Sequence, residues 1–348
     1  MQSPRVFCCS FTALMLSSVV FPVLAATPPE PRFEAVEIDT QIEIGYGLAL
    51  ADVDGDGKTD VLLADKSRFV WYQNPSWKRH ILTDKLTEKD HVCIAAADID
   101  GDGRAEIAVG AEWNPGDTQN SGAVFYLVPP ADRTQKWTPV KLPHEPTVHR
   151  MRWIRSRQGG YELLMAPLHG RDNRNGQGTA VRLLTYRRAG SPEKAENWKV
   201  EPILTMQHIT HNFHPVQWDQ DPEHEFVLAG KQGVFLFDSA KGWHGHPIAG
   251  GGLDGPDAPG AGEVRDGKLP GGRRYLATVE PWHGNSAVIY AENKATDRWE
   301  RRVVDGTIVD GHAVACGDVL GLGHDQLVVG WRAMNRPGVK VGIRLYSP

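Results

Sequence analysis

The chain has 348 residues, with 37 Gly, 24 Pro and a net charge of −5 that is spread without a long run of either sign. A chain of this length can bury a large core, as one repeat domain or as two ordinary domains. The charge argues against a nucleic-acid-binding surface, and the abundance of turn formers points to an all-β protein.

Residues 1–25 read as a cleaved secretory signal peptide: Arg5, the apolar run FTALMLSSVVFPVLA, and a small-residue site ending at Ala25. Cys8 and Cys9 precede the apolar run, so they form no lipoprotein cleavage site. No later stretch reaches the roughly 18 apolar residues of a membrane span. The expectation is an exported chain, secreted or periplasmic, with residues 26–348 forming a single domain. Cys93 and Cys316 remain in apolar strands and read as two buried thiols rather than a disulfide.

The first structured motif is DVDGDGKTD at 52–60. It resembles the front of a calcium-binding EF-hand, but the twelfth loop position is Leu63 where a bidentate Glu is required. The flanks are short apolar runs, which read as buried strands. The unit is therefore strand, acidic turn, strand, and it recurs as DIDGDGRAE at 98–106. Asp52, Asp54, Asp56 and Asp60, and again Asp98, Asp100, Asp102 and Glu106, place carboxylates at alternate positions, with glycines that permit a tight loop. That pattern suits structural Ca2+; the alternative is a turn closed by its own hydrogen bonds.

Short strands repeating every 40–60 residues indicate a β-propeller. Third strands of successive blades are expected at 68–73, 122–128, 179–186, 233–239, 286–292 and 341–347. Outer strands open at Trp77, Trp137, Trp198, Trp243 and Trp299, whose regular position reads as inter-blade packing. Six third strands meet five such outer strands, so RFEAVEID (32–39) is expected to supply the sixth and close the ring. The count is six blades of four strands, with seven possible. The segment 250–272 reads as a Gly/Pro-rich connection. The acidic motifs resemble the FG-GAP or VCBS repeats of secreted propellers, a resemblance that implies this fold and calcium in the turns.

Within a blade the first strand runs to the acidic turn and the second runs back. Starts of first strands and ends of second strands must share one end of the ring. First-strand starts carry His91, His149, His211 and His312; second-strand ends carry Trp113, His169, Arg171, Lys231, Trp282, His283, Trp331 and Arg332. Imidazoles serve as bases near neutral pH, guanidiniums hold carboxylates, and indoles stack on sugars. Together these groups meet the needs of β-elimination from an anionic or keto sugar. The segments LHGR (168–171), THNF (210–213), PWHG (281–284) and DGHA (310–313) resemble those of secreted propeller lyases and of the aldos-2-ulose dehydratase group. That resemblance implies sugar elimination using His and a metal.

In this reading His169 and His283 are the leading acid–base pair, and Arg171, Lys231 and Arg332 neutralise the anion. His91, His149, His211 and His312 are further bases or ligands for a divalent metal such as Zn2+. Trp113, Trp282 and Trp331 contact substrate. The alternative is a non-catalytic, calcium-stabilised propeller that binds glycans or proteins; in either reading the expected chain is a monomer with a carbohydrate partner. A hydrolase is less favoured, because Glu112, Glu263 and Glu280 are scattered. No G-x-S-x-G nucleophile, P-loop or dinucleotide fingerprint occurs.

Overall fold

Twenty-three β-strands and one short 3-10 turn at Ala195–Asn197 account for the regular structure of the computed structural model, which describes residues 30–249, 260–293, 298–332 and 337–347. The expected signal peptide lies outside the described residues. Among them, no helix is long and apolar enough to cross a membrane.

The strands form six antiparallel blades, each a simple meander. Blade one is β1 (Gly47–Ala51), β2 (Asp60–Ala64), β3 (Arg68–Gln73) and β4 (Lys78–Asp84). Blade two is β5 (Cys93–Ala97), β6 (Glu106–Ala111), β7 (Ala123–Val128) and β8 (Thr138–Leu142). Blade three is β9 (Val148–Arg155), β10 (Tyr161–Pro167), β11 (Arg182–Arg188) and β12 (Trp198–Leu204). Blade four is β13 (Thr210–Val216), β14 (Glu225–Gly230), β15 (Gly233–Phe237) and β16 (His246–Ala249). Blade five is β17 (Glu263–Lys268), β18 (Arg274–Glu280), β19 (Ser286–Asn293) and β20 (Arg298–Asp305). Blade six is β21 (Gly311–Gly317), β22 (Gln326–Trp331) and β23 (Gly342–Tyr346).

Two expectations are corrected. Residues 30–46 contain no strand, and blade six has three strands among the described residues, so the closing strand at 32–39 is not formed. Its alternation was real but weakly apolar, and Phe33 and Val36 remain exposed. Of the expected connection 250–272, residues 250–259 lie outside the described residues, and EVRDGK at 263–268 is not connection but β17. That strand lines the central channel, and its polar side chains hid it from a search for apolar runs.

Apolar alternation explains the blades. Both faces of the middle strands are buried, as in β6 and β14, where every residue is inaccessible. Neighbouring blades share buried clusters. Leu62 and Trp71 of blade one meet Ile107 and Trp137 of blade two, and Phe213 and Phe226 of blade four meet Leu164 and Ile203 of blade three. Four of the outer-strand tryptophans enter such clusters: Trp137 and Trp198 are buried, and Trp243 and Trp299 pack against them, whereas Trp77 packs within blade one against Leu63, Val70 and Tyr72. No cluster among the described residues joins blade six to blade one, where Leu48, Leu50, Val341 and Ile343 are exposed. Cys93 and Cys316 are both free thiols.

Phe226→Ala should cost about 3–5 kcal/mol, since the ring is fully buried and stacked 4.8 Å from Phe237. Leu204→Ala, at an exposed position, should change stability by no more than about 0.5 kcal/mol. Denaturant unfolding of both variants checks the inter-blade core.

Candidate functional site

In blade one, Gly47 pairs with Ala64 at one end of the strand pair and Ala51 with Asp60 at the other; in blade two, Cys93 pairs with Gly110 and Ala97 with Glu106. The acidic turns of these blades therefore lie at the opposite end from the starts of their first strands. At the end where the first strands start, away from the acidic turns, a cavity of about 550 Å³ opens on the ring axis. Its walls include Tyr46, Trp113, His149, Arg150, His211, Trp282, His283, His312 and Arg332.

Three of these histidines owe their direction to one device. In the pairing of β9 with β10, Val148 faces Pro167 and Arg150 faces Ala166, which skips His149. Between β13 and β14, Thr210 faces Gly230 and Asn212 faces Ala229, which skips His211. Between β21 and β22, Gly311 faces Trp331 and Ala313 faces Gly330, which skips His312. Each histidine is the extra residue of a β-bulge, and a bulge re-aims its side chain out of the ordinary alternation. The corners beside them are strained as well. Glu112, Thr147, Trp282 and Asp310 all have φ between 48° and 55°, a left-handed conformation costly for residues other than Gly.

The rings are in mutual contact. His211 lies edge-on to His149, His283 and His312, with centroids 4.9, 4.2 and 5.0 Å away, and Trp113 stacks on His149 at 4.9 Å. The hydrogen bonds fit one set of tautomers. His211 Nδ1 donates to the Gly262 carbonyl, with Glu263 Oε1 3.2 Å away. Arg332 Nη2 donates to His283 Nδ1 at 3.3 Å, which leaves the His283 proton on Nε2. His283 Nε2 then donates to His211 Nε2 at 2.6 Å. Arg332 is held by Asp310 at 3.1 Å, and Asn212 donates to Glu263 at 2.7 Å.

Burial sets the charge states. It lowers His283 to about 2, helped by His211, His312 and Arg332, and His312 to about 3, helped by His211 and Arg332. Burial and Arg150 keep His149 well below its usual value, and burial lowers His211 despite Glu263. Burial opposes ionisation of Glu263, but His211, Arg265 and Arg150 outweigh it and hold the carboxyl at about 2. Burial and the 3.0 Å hydrogen bond to Asp90 raise Tyr46 to about 12, so it stays a proton donor. Deeper in the channel, Arg150, Arg152 and Arg265 share a cavity with the single carboxylate of Glu263, a cationic floor for an anionic group.

The cavity unites Trp113, His149, His211, Trp282, His283, His312 and Arg332 of the expected residues. His91 is fully buried elsewhere, stacked on Phe69 at 4.3 Å; no bulge turns it inward. His169 and Arg171 line a separate cavity, with Arg171 3.3 Å from Glu145. Lys231 does not line the mouth. Trp331 packs into the blade-five/six core beneath Arg344. Tyr46, Arg150 and Glu263 are the residues that sequence reasoning missed as mouth groups. Arg150 directly follows a bulge histidine, which is the signal that could have found it.

Three imidazole nitrogens, from His211, His283 and His312, lie within 4.8 Å of one another, the number and kind a divalent ion such as Zn2+ takes. Glu263 behind His211 is the usual outer partner of such a ligand. A metal on His283 Nε2 would place that ring's proton on Nδ1, so Arg332 would have to turn away from it. At the other end, Asp52, Asp54 and Asp60 form one oxygen group, and Asp98, Asp100 and Glu106 a second. Asp56 lies outside the first, paired with Lys58 at 2.7 Å, and Asp102 lies outside the second, accepting the Arg104 N–H. Both turns also close on themselves. Asp52 accepts N–H groups of Gly55 and Gly57 at 2.7 Å, and Gly57, at φ +82°, takes the left-handed bend that a side chain would strain.

Residues 121–293 match the family described as aldos-2-ulose dehydratase, beta-propeller domain. The chain is similar to that propeller. FG-GAP repeats match at 52–109 and 94–127, over the two acidic turns. Aldos-2-ulose dehydratase of Phanerodontia chrysosporium is 24% identical over 254 residues, which cover 65% of this chain and 27% of that protein. The chain therefore spans about a quarter of the relative's length.

The neutral imidazoles make a pH prediction. Their folded pKa values lie below the unfolded value of about 6.5, so stability is full above that pH and falls as pH drops through it. Glu263, held at about 2, keeps its charge across this window. His283 and His312, held at about 2 and about 3, should each contribute a slope of about 1.4 kcal/mol per pH unit between roughly pH 6 and 4.5. Denaturant unfolding at several pH values should show this slope, and His312→Gln should flatten it.

Proposed function

We propose that the mouth of the propeller carries out β-elimination on an anionic or keto sugar, as a lyase or dehydratase in an exported protein. One observation carries the reading: a single cavity joins His149, His211, His283 and His312 to Arg150, Arg332, Trp113 and Trp282. The match to a sugar dehydratase propeller supports the substrate class.

In this proposal Trp113 and Trp282 lie against the sugar, and Arg150 and Arg332 take its carbonyl or carboxylate oxygen. When Arg332 turns to that oxygen, the lone pair of His283 Nδ1 is freed and removes the proton beside the carbonyl. The two arginines stabilise the enolate charge. His283 passes its Nε2 proton to His211, whose imidazolium is stabilised by ionised Glu263. The enolate electrons form the carbon–carbon double bond and expel the β-hydroxyl, which takes a proton from Tyr46 and leaves as water. The negative charge of the bound substrate raises the depressed imidazole pKa values, so the bases strengthen once it is bound. A divalent ion at His211, His283 and His312 would polarise the carbonyl; the steps above proceed through the protein's own groups. Ca2+ held by the turns at Asp52, Asp54 and Asp60 and at Asp98, Asp100 and Glu106 is proposed as structural.

A screen on uronic-acid polysaccharides and keto-sugars, read by absorbance of the conjugated product, tests the assignment. His283→Gln should lower the rate ~10²–10⁴-fold. Glu263→Gln should lower kcat and shift its pH profile, whereas His169→Gln should stay within a few-fold of wild type. Unchanged turnover in His283→Gln would reject its role as base. Glycan binding with no product across the screen would favour the non-catalytic propeller.

A further inference from the structure

The acidic turns of blades one and two share a hydrogen bond with blade four, in a turn that lacks the DGDG pattern. Val53 N–H donates to Asp60 at 2.9 Å, Ile99 N–H to Glu106 at 3.2 Å, and Trp218 N–H to Glu225 at 2.8 Å. Each acceptor lies seven residues beyond its donor, so the last carboxylate occupies the same place in all three turns. What its second oxygen meets differs. Asp60 Oδ1 accepts the Asn74 N–H at 2.8 Å, and Glu106 Oε1 lies 3.5 Å from the Arg133 guanidinium. Glu225 is 1% exposed, and its Oε1 is buried with no partner.

An unpaired carboxylate oxygen out of water is costly unless something positive meets it. Glu225 belongs to a group with Asp219 and Asp221, whose ligand oxygens all lie within 4.8 Å of one another. Asp221 Oδ1 is likewise buried and unpartnered. Lys241 feels the charge of Asp219 and Glu225 but is itself engaged by Asp238 at 2.9 Å. We propose that Asp219, Asp221 and Glu225 bind a divalent, oxygen-liganded cation of calcium type at the blade-four turn. Three carboxylates facing one point, two of them with an orphan oxygen, are the donor set of a hard cation. In blades one and two the grouped carboxylates are the first, third and ninth residues of the turn. In blade four they are the third, fifth and ninth, and Gln217 takes the first place. Gln217 Nε2 instead ties the backbone, donating to the carbonyls of Asp219 and Asp221.

The test is calcium stoichiometry of the full chain, measured by elemental analysis after dialysis against calcium chloride, together with the calcium-dependent rise in Tm. Glu225→Gln and Asp219→Asn should each lower bound calcium by one ion per chain and reduce that rise. Ion-free Glu225→Gln should melt no lower than the ion-free wild type, because it removes an unpaired buried charge. Unchanged stoichiometry in both variants would overturn the site. If Glu225→Gln does not fold, Asp219→Asn decides, since Asp219 is exposed.

Discussion

Antiparallel pairing of the first and second strands within each blade is the constraint on which the site depends. It forces starts of first strands and ends of second strands to one end of the ring and turns to the other, whatever the side chains are. Residues far apart in sequence then meet without a dedicated loop: His211 and His283, 72 positions apart, share a hydrogen bond. The bulges at His149, His211 and His312 use this frame. A regular strand would send alternate residues to its two faces, whereas in blades three, four and six one unpaired residue directs an imidazole at the axis. The strained corners at Glu112, Thr147, Trp282 and Asp310 persist because buried clusters on either side hold the blades in place.

Crowding these imidazoles together has an electrostatic consequence. Several mutually touching rings beside Arg150 and Arg332 cannot all be protonated, so the mouth holds neutral bases next to fixed cations. A neutral mouth with a cationic floor favours a ligand that brings negative charge or develops it during reaction. Glu263 supplies the opposing carboxylate, buried and tied to His211 and Asn212. Base and electrophile can coexist here at neutral pH because burial, rather than solvent, fixes their protonation.

Much of this fold was legible in the sequence. The expected third strand at 68–73 is β3 itself, and the one at 286–292 falls one residue short of β19, because apolar and aromatic runs mark strands buried on both faces. The polar strand β17 was not legible, since it faces a charged channel. The closing strand was over-read, since alternation alone cannot say which edge a segment pairs with. At the site, the end of the blade was legible but the direction of each histidine was not. A one-residue bulge reverses a side chain and leaves no local mark in composition. His91 and His149 look alike in DHVC and VHRM, yet only the second is a bulge residue. Glu263 and Arg150 escaped notice because their roles come from what the bulges place beside them.

The two ends of the ring are mechanically linked through single strands. β13 carries His211 near its start, and Gln217, the residue after its last, begins the turn that ends in Glu225. At about 3.3 Å per residue, roughly 20 Å of paired backbone separates them. A bulge weakens the ladder locally, so its geometry depends on how firmly the rest of the strand pair is held. Closing the turn by the Trp218–Glu225 hydrogen bond fixes the far end of β13 and β14, and any charge that settles the orphan oxygen of Glu225 would stiffen it further. Blade five achieves this without carboxylates in its own turn: Lys268 exchanges hydrogen bonds with Asp325 of blade six. Bracing the turn end, by acidic groups or by neighbouring backbone, is thus the structural complement of a mouth built from irregular residues.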